Sequence, residues 1–387
     1  MPAWLPLLLG FLTAVGPIST DMYLPAFPAI EAELGTARGS VEITLAAWFV
    51  GLAIGQLVQG TLADRLGRRR PLLIGTAIYT IASAGCAMAT DMPTLAFWRC
   101  VAAFGGAASA VIPRAMVRDL ADGLGAARLM SKLMLVMGAA PILAPSLGGL
   151  LLGAGGWRTI FWFGVAYGGL SCLLAWRLLP ETLPPEFRAR RSFVALLADF
   201  IQIARERSFI THSLMGAAAM FSVFAFIGGA PGVYIEQFGV NPTYFGLLFA
   251  ISATGFIAAS QLNPFLLNRF GAERVPAYAL RASAVAVAVL VTAAVSGIGG
   301  LLGIFIPAAV AIAVMGLVFP NAAVGALSRH PARAGSASAL LGTLQFSCAA
   351  LGSALVGALA DGTPRPMALL MVAGTAVALA AERLRPR

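Results

Sequence analysis

Apolar stretches of about 20 residues recur along the whole chain, separated by short polar or glycine- and proline-containing breaks. A helix rises about 1.5 Å per residue, so about 20 apolar residues cross the hydrocarbon core of a bilayer. The pattern predicts twelve spans, near 4–26, 41–62, 71–90, 93–113, 129–153, 158–179, 208–232, 243–266, 275–297, 299–325, 336–360 and 366–382. Connections are short except near 180–207, where L-P-E-T-L-P-P-E-F-R-A-R-R replaces the apolar pattern with prolines and charges. The expected fold is an all-α membrane protein of twelve transmembrane helices in two six-helix halves. Its divisions are an N-terminal half at 1–180, a cytoplasmic linker at 181–207 and a C-terminal half at 208–387.

Composition agrees with lipid as the solvent. Aliphatic, aromatic and cysteine residues make up 59% of the 387 residues and charged residues only 11%, against about 25% in a soluble domain. The net charge of +10 does not indicate nucleic acid, because the basic residues fall in short clusters between spans. With both termini inside, 22 of the 26 basic residues fall on the cytoplasmic side; only Arg38, Arg99, Arg158 and Arg365 fall elsewhere. This orientation, in a bacterial inner membrane, is the expectation. Cys86, Cys100, Cys172 and Cys348 lie scattered in apolar stretches, and His212 and His330 are far apart, so no metal site or disulfide is indicated. The start, M-P-A-W-L-P-L-L-L-G, lacks a basic segment and a cleavage site and reads as the first span. No nucleophile–base pair, metal cluster or Walker sequence occurs, so neither an enzyme nor an ATP-driven pump is expected, and no cofactor.

The two halves repeat. G-T-L-A-D-R-L-G-R-R-R after the second span is similar to P-F-L-L-N-R-F-G-A-E-R after the eighth. An offset of 204 carries Asp64 onto Asn268, Arg65 onto Arg269, Gly67 onto Gly271 and Gly148 onto Gly352. Parallel six-span repeats suggest a central substrate site between them.

At this point the chain resembles the major facilitator superfamily, and within it the Bcr/CflA group of drug/proton antiporters. The resemblance is carried by S-T-D-M-Y-L-P-A-F-P, G-T-L-A-D-R-L-G-R-R-R, A-P-I-L-A-P-S-L-G-G, F-P-N-A, R-A-G-S-A-S-A-L-L-G and P-E-T-L-P-P-E, from about residue 16 to about 360. It implies proton-coupled efflux of small lipophilic drugs such as bicyclomycin- or chloramphenicol-like antibiotics. The implied partners are a small-molecule substrate, protons and the bilayer, and the protein is expected to act as a monomer. A proton-linked importer of a small metabolite and a membrane ligand sensor that does not transport are the alternatives. The family's fourth-span pattern, Arg-x-x-Gln-Gly, is altered: Ala102 stands at the glutamine.

Several residues carry candidate chemistry. Asp21 lies between Pro17 and Pro25 in the first span, and an acid at membrane depth is functional unless it is merely interfacial. Arg99 sits at similar depth in the fourth span, where snorkelling to the headgroups is the alternative. The resemblance implies proton coupling for both. The hairpin residues Gly60, Asp64, Arg65, Gly67, Arg68 and Arg69, with Asp119, are expected to form a cytoplasmic gate. Asp64 would face the start of the eleventh span, and Arg65 would pair with Asp119. Ala140, Pro141, Ala144, Pro145, Gly148 and Gly149 form the fifth-span segment that marks antiporters in the family; its small residues allow close helix approach. Tyr23, Phe226, Tyr234, Asn263, Asn321 and Gln345 are candidates to line the substrate cavity, with ordinary packing the alternative for each.

Overall fold

A computed structural model describes residues 4–120, 123–188, 193–330 and 333–386. Arg190, Arg191 and Arg387, and the side chains of Arg118, Arg128 and Lys132, lie outside the described residues. Among those described, no strand occurs, and twelve long helices run in the predicted order. They are α1 (Leu5–Leu34), α2 (Glu42–Leu66), α3 (Arg69–Ala87), α4 (Met92–Leu120), α5 (Gly123–Gly155) and α6 (Trp157–Leu178) in the first half. The second half holds α7 (Arg207–Gln237), α8 (Pro242–Phe270), α9 (Arg274–Ser296), α10 (Gly300–Leu327), α11 (Ala334–Ala358) and α12 (Arg365–Leu384). Ten of these are long and apolar enough to cross a membrane by composition alone.

Exposure is inverted relative to a soluble protein. Ile74 and Ile81 on α3, Trp162 and Leu173 on α6, and Val285 and Val289 on α9 are large, apolar and exposed. Such a surface is stable only against hydrocarbon.

The first helix departs from the predicted single span. It is α-helical over Leu5–Thr13 and Val15–Asp21, makes a short 3-10 turn over Leu24–Ala26, then continues over Phe27–Leu34, eight residues past the predicted end. The breaks follow from proline chemistry. A proline has no N–H for the carbonyl four residues earlier, and its ring crowds that carbonyl. Pro17 and Pro25 act in this way on Thr13 and Asp21, and these are the residues at which the two α-segments end.

The 204-residue repeat is structural as well as sequential. Gly67 and Gly271 both end a helix at positive φ, 90° and 83°, where a side chain would be strained. Gly148 on α5 lies against the Met22 carbonyl of α1, and Gly352 on α11 lies against the Phe221 carbonyl of α7. Neither leaves room for a Cβ.

The halves meet along two helix pairs, α2 with α11 and α5 with α8. Gly39 and Gly357 touch backbone to backbone, and the Ser353 hydroxyl donates to the Glu42 carbonyl at 3.3 Å. Further along, Phe49 packs on Phe224 and Phe346 with ring centres 4.2 and 5.8 Å apart. Next come a Thr343 hydroxyl donating to the Ala53 carbonyl at 3.4 Å and a contact between Gly342 and the Gln56 side chain. On the other pair, Gly149 touches the Pro242 backbone and Gly246 touches Ser146. These contacts run from the end away from the arginine clusters to just past mid-helix, where Gln56 meets Gly342. The seam is sealed at that far end, while Asp64 and Arg65 on the basic end are exposed.

Gly148 is the tightest of these approaches. Overpacking typically costs about 1–3 kcal/mol. Gly148→Ala is therefore expected to lower the melting temperature of the purified protein by several degrees. Gly153→Ala, on the same helix with nothing within 4 Å, is expected to leave it unchanged or slightly raised. Thermal unfolding of both variants in one detergent checks the contrast.

Candidate functional site

The broken first helix brings Asp21 to its last α-helical position, where it is buried and accepts a hydrogen bond from the Thr20 hydroxyl at 2.9 Å. Arg99, on α4, is 2% exposed, so it does not snorkel. Its Nη1 donates to the Ser19 carbonyl at 2.8 Å. The last carbonyls of a helix lack intrahelical donors, and the break at Asp21 leaves Ser19 among them. The guanidinium lies 4.2 Å from the centre of the Tyr23 ring, 4.4 Å from Trp48 and 5.9 Å from Phe161. Close cation–π contacts are worth about 2 kcal/mol when desolvated. Arg99 thus meets the helix that carries Asp21 through a backbone carbonyl two residues away.

Two donors of that guanidinium, Nε and Nη2, are buried without a partner. Beside them is a small void lined by Ser19, Tyr79, Ser83, Cys86, Ala102 and Gly164. Ala102 is one helical turn from Arg99, on the same face. The position that holds glutamine in the family pattern is therefore the wall of this void. The Ser19 and Tyr79 hydroxyls, 2.7 Å apart, close its far side.

The predicted cavity residues divide. Tyr23 belongs to the arginine cage, and its hydroxyl lies 3.1 Å from that of Thr44. Asn321 donates to Asn263 at 2.8 Å, bridging α10 to α8, and to the Leu317 carbonyl at 2.7 Å. Gln345 is half-buried on α11 facing Gly216 of α7. Phe226 and Tyr234 are buried in an aromatic cluster with Phe245 and Phe305, so in this conformation they pack the second half. Tyr234 lies in a π-helical turn, Gly232–Gln237, that follows Pro231.

At the basic end the structure redistributes the gate residues. The ion pair on Asp119 comes from Arg68, through Nε at 2.8 Å, where the sequence pointed to Arg65. Arg68 also holds Asp64 at 2.5 Å, four residues back, so Asp64 pairs within its own half. Gly60 lies inside α2 with only Val111 near it at 3.7 Å, so of the two hairpin glycines the turn rests on Gly67. Arg69 donates to the Trp176 carbonyl at 2.5 Å. The middle segment supplies partners that sequence spacing could not assign. Thr182 donates to Asp119 at 3.0 Å. The Glu181 carboxylate accepts the N–H groups of Arg68, Leu183 and Arg69 at 2.7, 3.0 and 3.2 Å and rests against Gly67. Partial burial opposes its charge, but those three donors and the Arg188 guanidinium outweigh it and hold the carboxyl below its ordinary value.

The fifth-span segment forms the contact surface of α5. Ala144, Pro145, Gly148 and Gly149 are buried, while Ala140 and Pro141 are half-buried. Both prolines lie inside a helix that remains continuous. Gly148 touches α1 one residue from Asp21, and Gly149 touches α8, so this segment links the site to the opposite half.

Comparison with known proteins places this geometry. Residues 9–353 match the model of the Major Facilitator Superfamily. The chain is 35% identical over 373 residues to an uncharacterized MFS-type transporter, YdgK, of Bacillus subtilis, covering 95% of this chain and 91% of that protein. It is 29% identical to a bicyclomycin resistance protein homolog of Haemophilus influenzae, covering 97% and 94%. It is 32% identical to a chloramphenicol resistance protein of Pseudomonas aeruginosa, covering 70% and 63%. Among solved structures, a bacterial homolog of the human lysosomal transporter Spinster, in an inward-facing and unoccupied conformation, superposes with a TM-score of 0.77 at 17% identity, covering 99% and 97%. The xylose transporter XylE of E. coli superposes with a TM-score of 0.74 at 14% identity, covering 99% and 97%.

Two measurements test this geometry. Arg68→Ala leaves Asp119 and Asp64 without their shared cation, and breaking a largely buried pair costs several kcal/mol. Because Asp64 is exposed, a loss of about 2–3 kcal/mol is expected in thermal or denaturant unfolding, against less than about 0.5 kcal/mol for the exposed Arg70→Ala. Ala102→Gln places an amide beside the unpartnered Arg99 donors. Both it and Ala102→Leu, of similar bulk and no polarity, overfill the small void, and Ala102→Gln is expected to lose less thermal stability than Ala102→Leu.

Proposed function

We propose that this chain, which belongs to the Major Facilitator Superfamily of membrane transporters, is a multidrug exporter driven by proton exchange. The observation that carries the reading is Asp21, a buried acid at the break of α1, with Arg99 caged on the same helix end and Gly148 clamping the next residue. The relatives named for bicyclomycin and chloramphenicol resistance support drugs of that kind as cargo and membership of the Bcr/CflA group. The charge split supports an orientation with the arginine clusters and both termini in the cytoplasm of a bacterial cell. The segment 181–207 then acts as the cytoplasmic linker between halves 1–180 and 208–387, and the protein acts as a monomer.

In this orientation the sealed far end is the periplasmic gate and the basic end is open to the cytoplasm. Substrate reaches the space between the halves from inside, where Asn321 and Gln345 are the polar candidates to contact it. The α2–α11 and α5–α8 pairs then exchange closure from one end to the other. Asp21 binds a proton in one state and releases it in the other as its access to water alternates. Arg99 acts on that exchange through the Ser19 backbone. The Asp64–Arg68–Asp119 pairing, with Glu181 and Thr182, holds the hairpin ready to meet α11 when the cytoplasmic side closes. A proton falling through 100 mV supplies ~2.3 kcal/mol, and each pH unit adds about 1.4 kcal/mol. Together they sustain at least a hundredfold gradient of neutral drug.

The test is drug-driven proton release from the purified protein, paired with flux in everted vesicles. The parent should release protons when chloramphenicol is added, and Asp21→Asn should release at least tenfold fewer while still folding and inserting. Undiminished release from Asp21→Asn would assign coupling to another group. Net drug movement out of the cytoplasmic compartment distinguishes an exporter from an importer, and no movement at all would leave only the sensor.

A further inference from the structure

A second buried acid lies outside the Asp21 site. Glu42 begins α2 at the sealed end of the seam and is 6% exposed, yet its Oε2 has no hydrogen-bond partner. It opens onto a pocket between the far ends of α1, α2, α7, α11 and α12. The other charged walls are Glu31 on α1, Glu236 on the π-helical turn of α7, and Arg38 from the α1–α2 connection. Two of these carboxylates are engaged: Glu31 accepts the Val41 N–H at 3.1 Å, and Glu236 pairs with Arg38 at 2.8 Å. Three acids and one guanidinium therefore line the pocket, the guanidinium is paired with Glu236, and the Glu42 Oε2 is left buried without a partner. A buried carboxylate oxygen without a donor is costly, so the pocket is electrostatically incomplete as it stands.

The remaining walls define what completes it. Phe27, Val233, Val356 and Met367 make one side apolar, and Gly229 and Gly232 bring α7 backbone close. The free space is about 50 Å³, several times the minimum for one water. A hard metal ion wants six to eight converging oxygens, and among the described residues no three acids are placed to hold one together. An ammonium on a short alkyl chain matches both walls: its N–H groups meet Glu42, its methylenes meet the aliphatic side, and Phe27 offers an aromatic face.

We propose that the Glu42 pocket binds the alkylammonium group of amine-bearing compounds, as a station at the far gate distinct from the Asp21 site. It lies in the α2–α11 seam, so opening that seam uncovers it. Only its assignment as an exit station rests on the exporter reading; binding itself does not.

Calorimetric titration of butylammonium chloride into the full-length protein in lipid nanodiscs tests this. The parent is expected to bind one equivalent, and butan-1-ol, its neutral counterpart, is expected to bind at least tenfold more weakly. Glu42→Gln should weaken butylammonium at least tenfold, and Asp21→Asn should leave it within twofold. Gly232→Leu fills the pocket from a position with nothing within 4 Å and should abolish binding even if Glu42→Gln does not fold. Equal binding of the alcohol, loss through Asp21→Asn with Glu42→Gln spared, or no binding to the parent each overturns the proposal. Failure to export chloramphenicol would sink the exporter reading and leave this result standing.

Discussion

A helix in lipid must satisfy its own backbone, and the two prolines of α1 deny it that. Pro17 and Pro25 withhold donors from the carbonyls of Thr13 and Asp21, so the helix ends and restarts within the membrane. The carbonyls freed there need partners, and Arg99 is one, reaching Ser19 from α4. A guanidinium carried that deep needs compensation too, and Tyr23, just past the break, joins Trp48 to supply it. Asp21 occupies the break itself. The position of the acid, the burial of the arginine and the backbone contact with Gly148 all follow from where the first helix cannot continue.

The repeat shows which constraints are architectural and which are chemical. Close approach recurs in both halves: Gly67 and Gly271 turn the chain, and Gly148 and Gly352 admit a neighbouring carbonyl. These are backbone requirements, set by the packing of α5 on α1 and of α11 on α7. The acid does not recur. Ala225 stands 204 residues after Asp21 and is fully buried on α7. The second half replaces charge with the Tyr234 aromatic cluster and the Asn321–Asn263 bridge. At these positions one half carries a buried acid, and the other packs and hydrogen-bonds.

Much of this was legible in the sequence because hydrophobic length and glycine spacing report directly on helices and their contacts. The twelve spans, the prolines flanking Asp21 and the repeat of Gly148 are readable in that way. The extension of α1 to Leu34 was not, since a helix that resumes after a break leaves no apolar run to count. Nor could spacing choose among neighbouring arginines. The turn at Gly67 decides that Arg68 reaches both Asp64 and Asp119, and that turn leans on Glu181, more than a hundred residues away. Nothing in the sequence singles out Glu42, at the start of the second predicted span. Its burial arises only when α7, α11 and α12 close around it, which no local pattern encodes.

A gate that must open repeatedly cannot be sealed like a core. Between α2 and α11 the sealed end relies on Gly39 against Gly357 and on one hydroxyl-to-carbonyl bond, before the Phe49 aromatic contacts begin. Small residues let backbones touch while burying little apolar area per residue, so separation forfeits little hydrophobic stabilisation. The polar groups there, Glu31, Glu42, Glu236 and Arg38, gain solvation when the seam parts. The two contributions oppose each other and are individually modest. On the proposed exchange of closure, that balance would keep a closed far end and an open one within reach of the same small driving force, with charge placed where its solvation changes most between the two states.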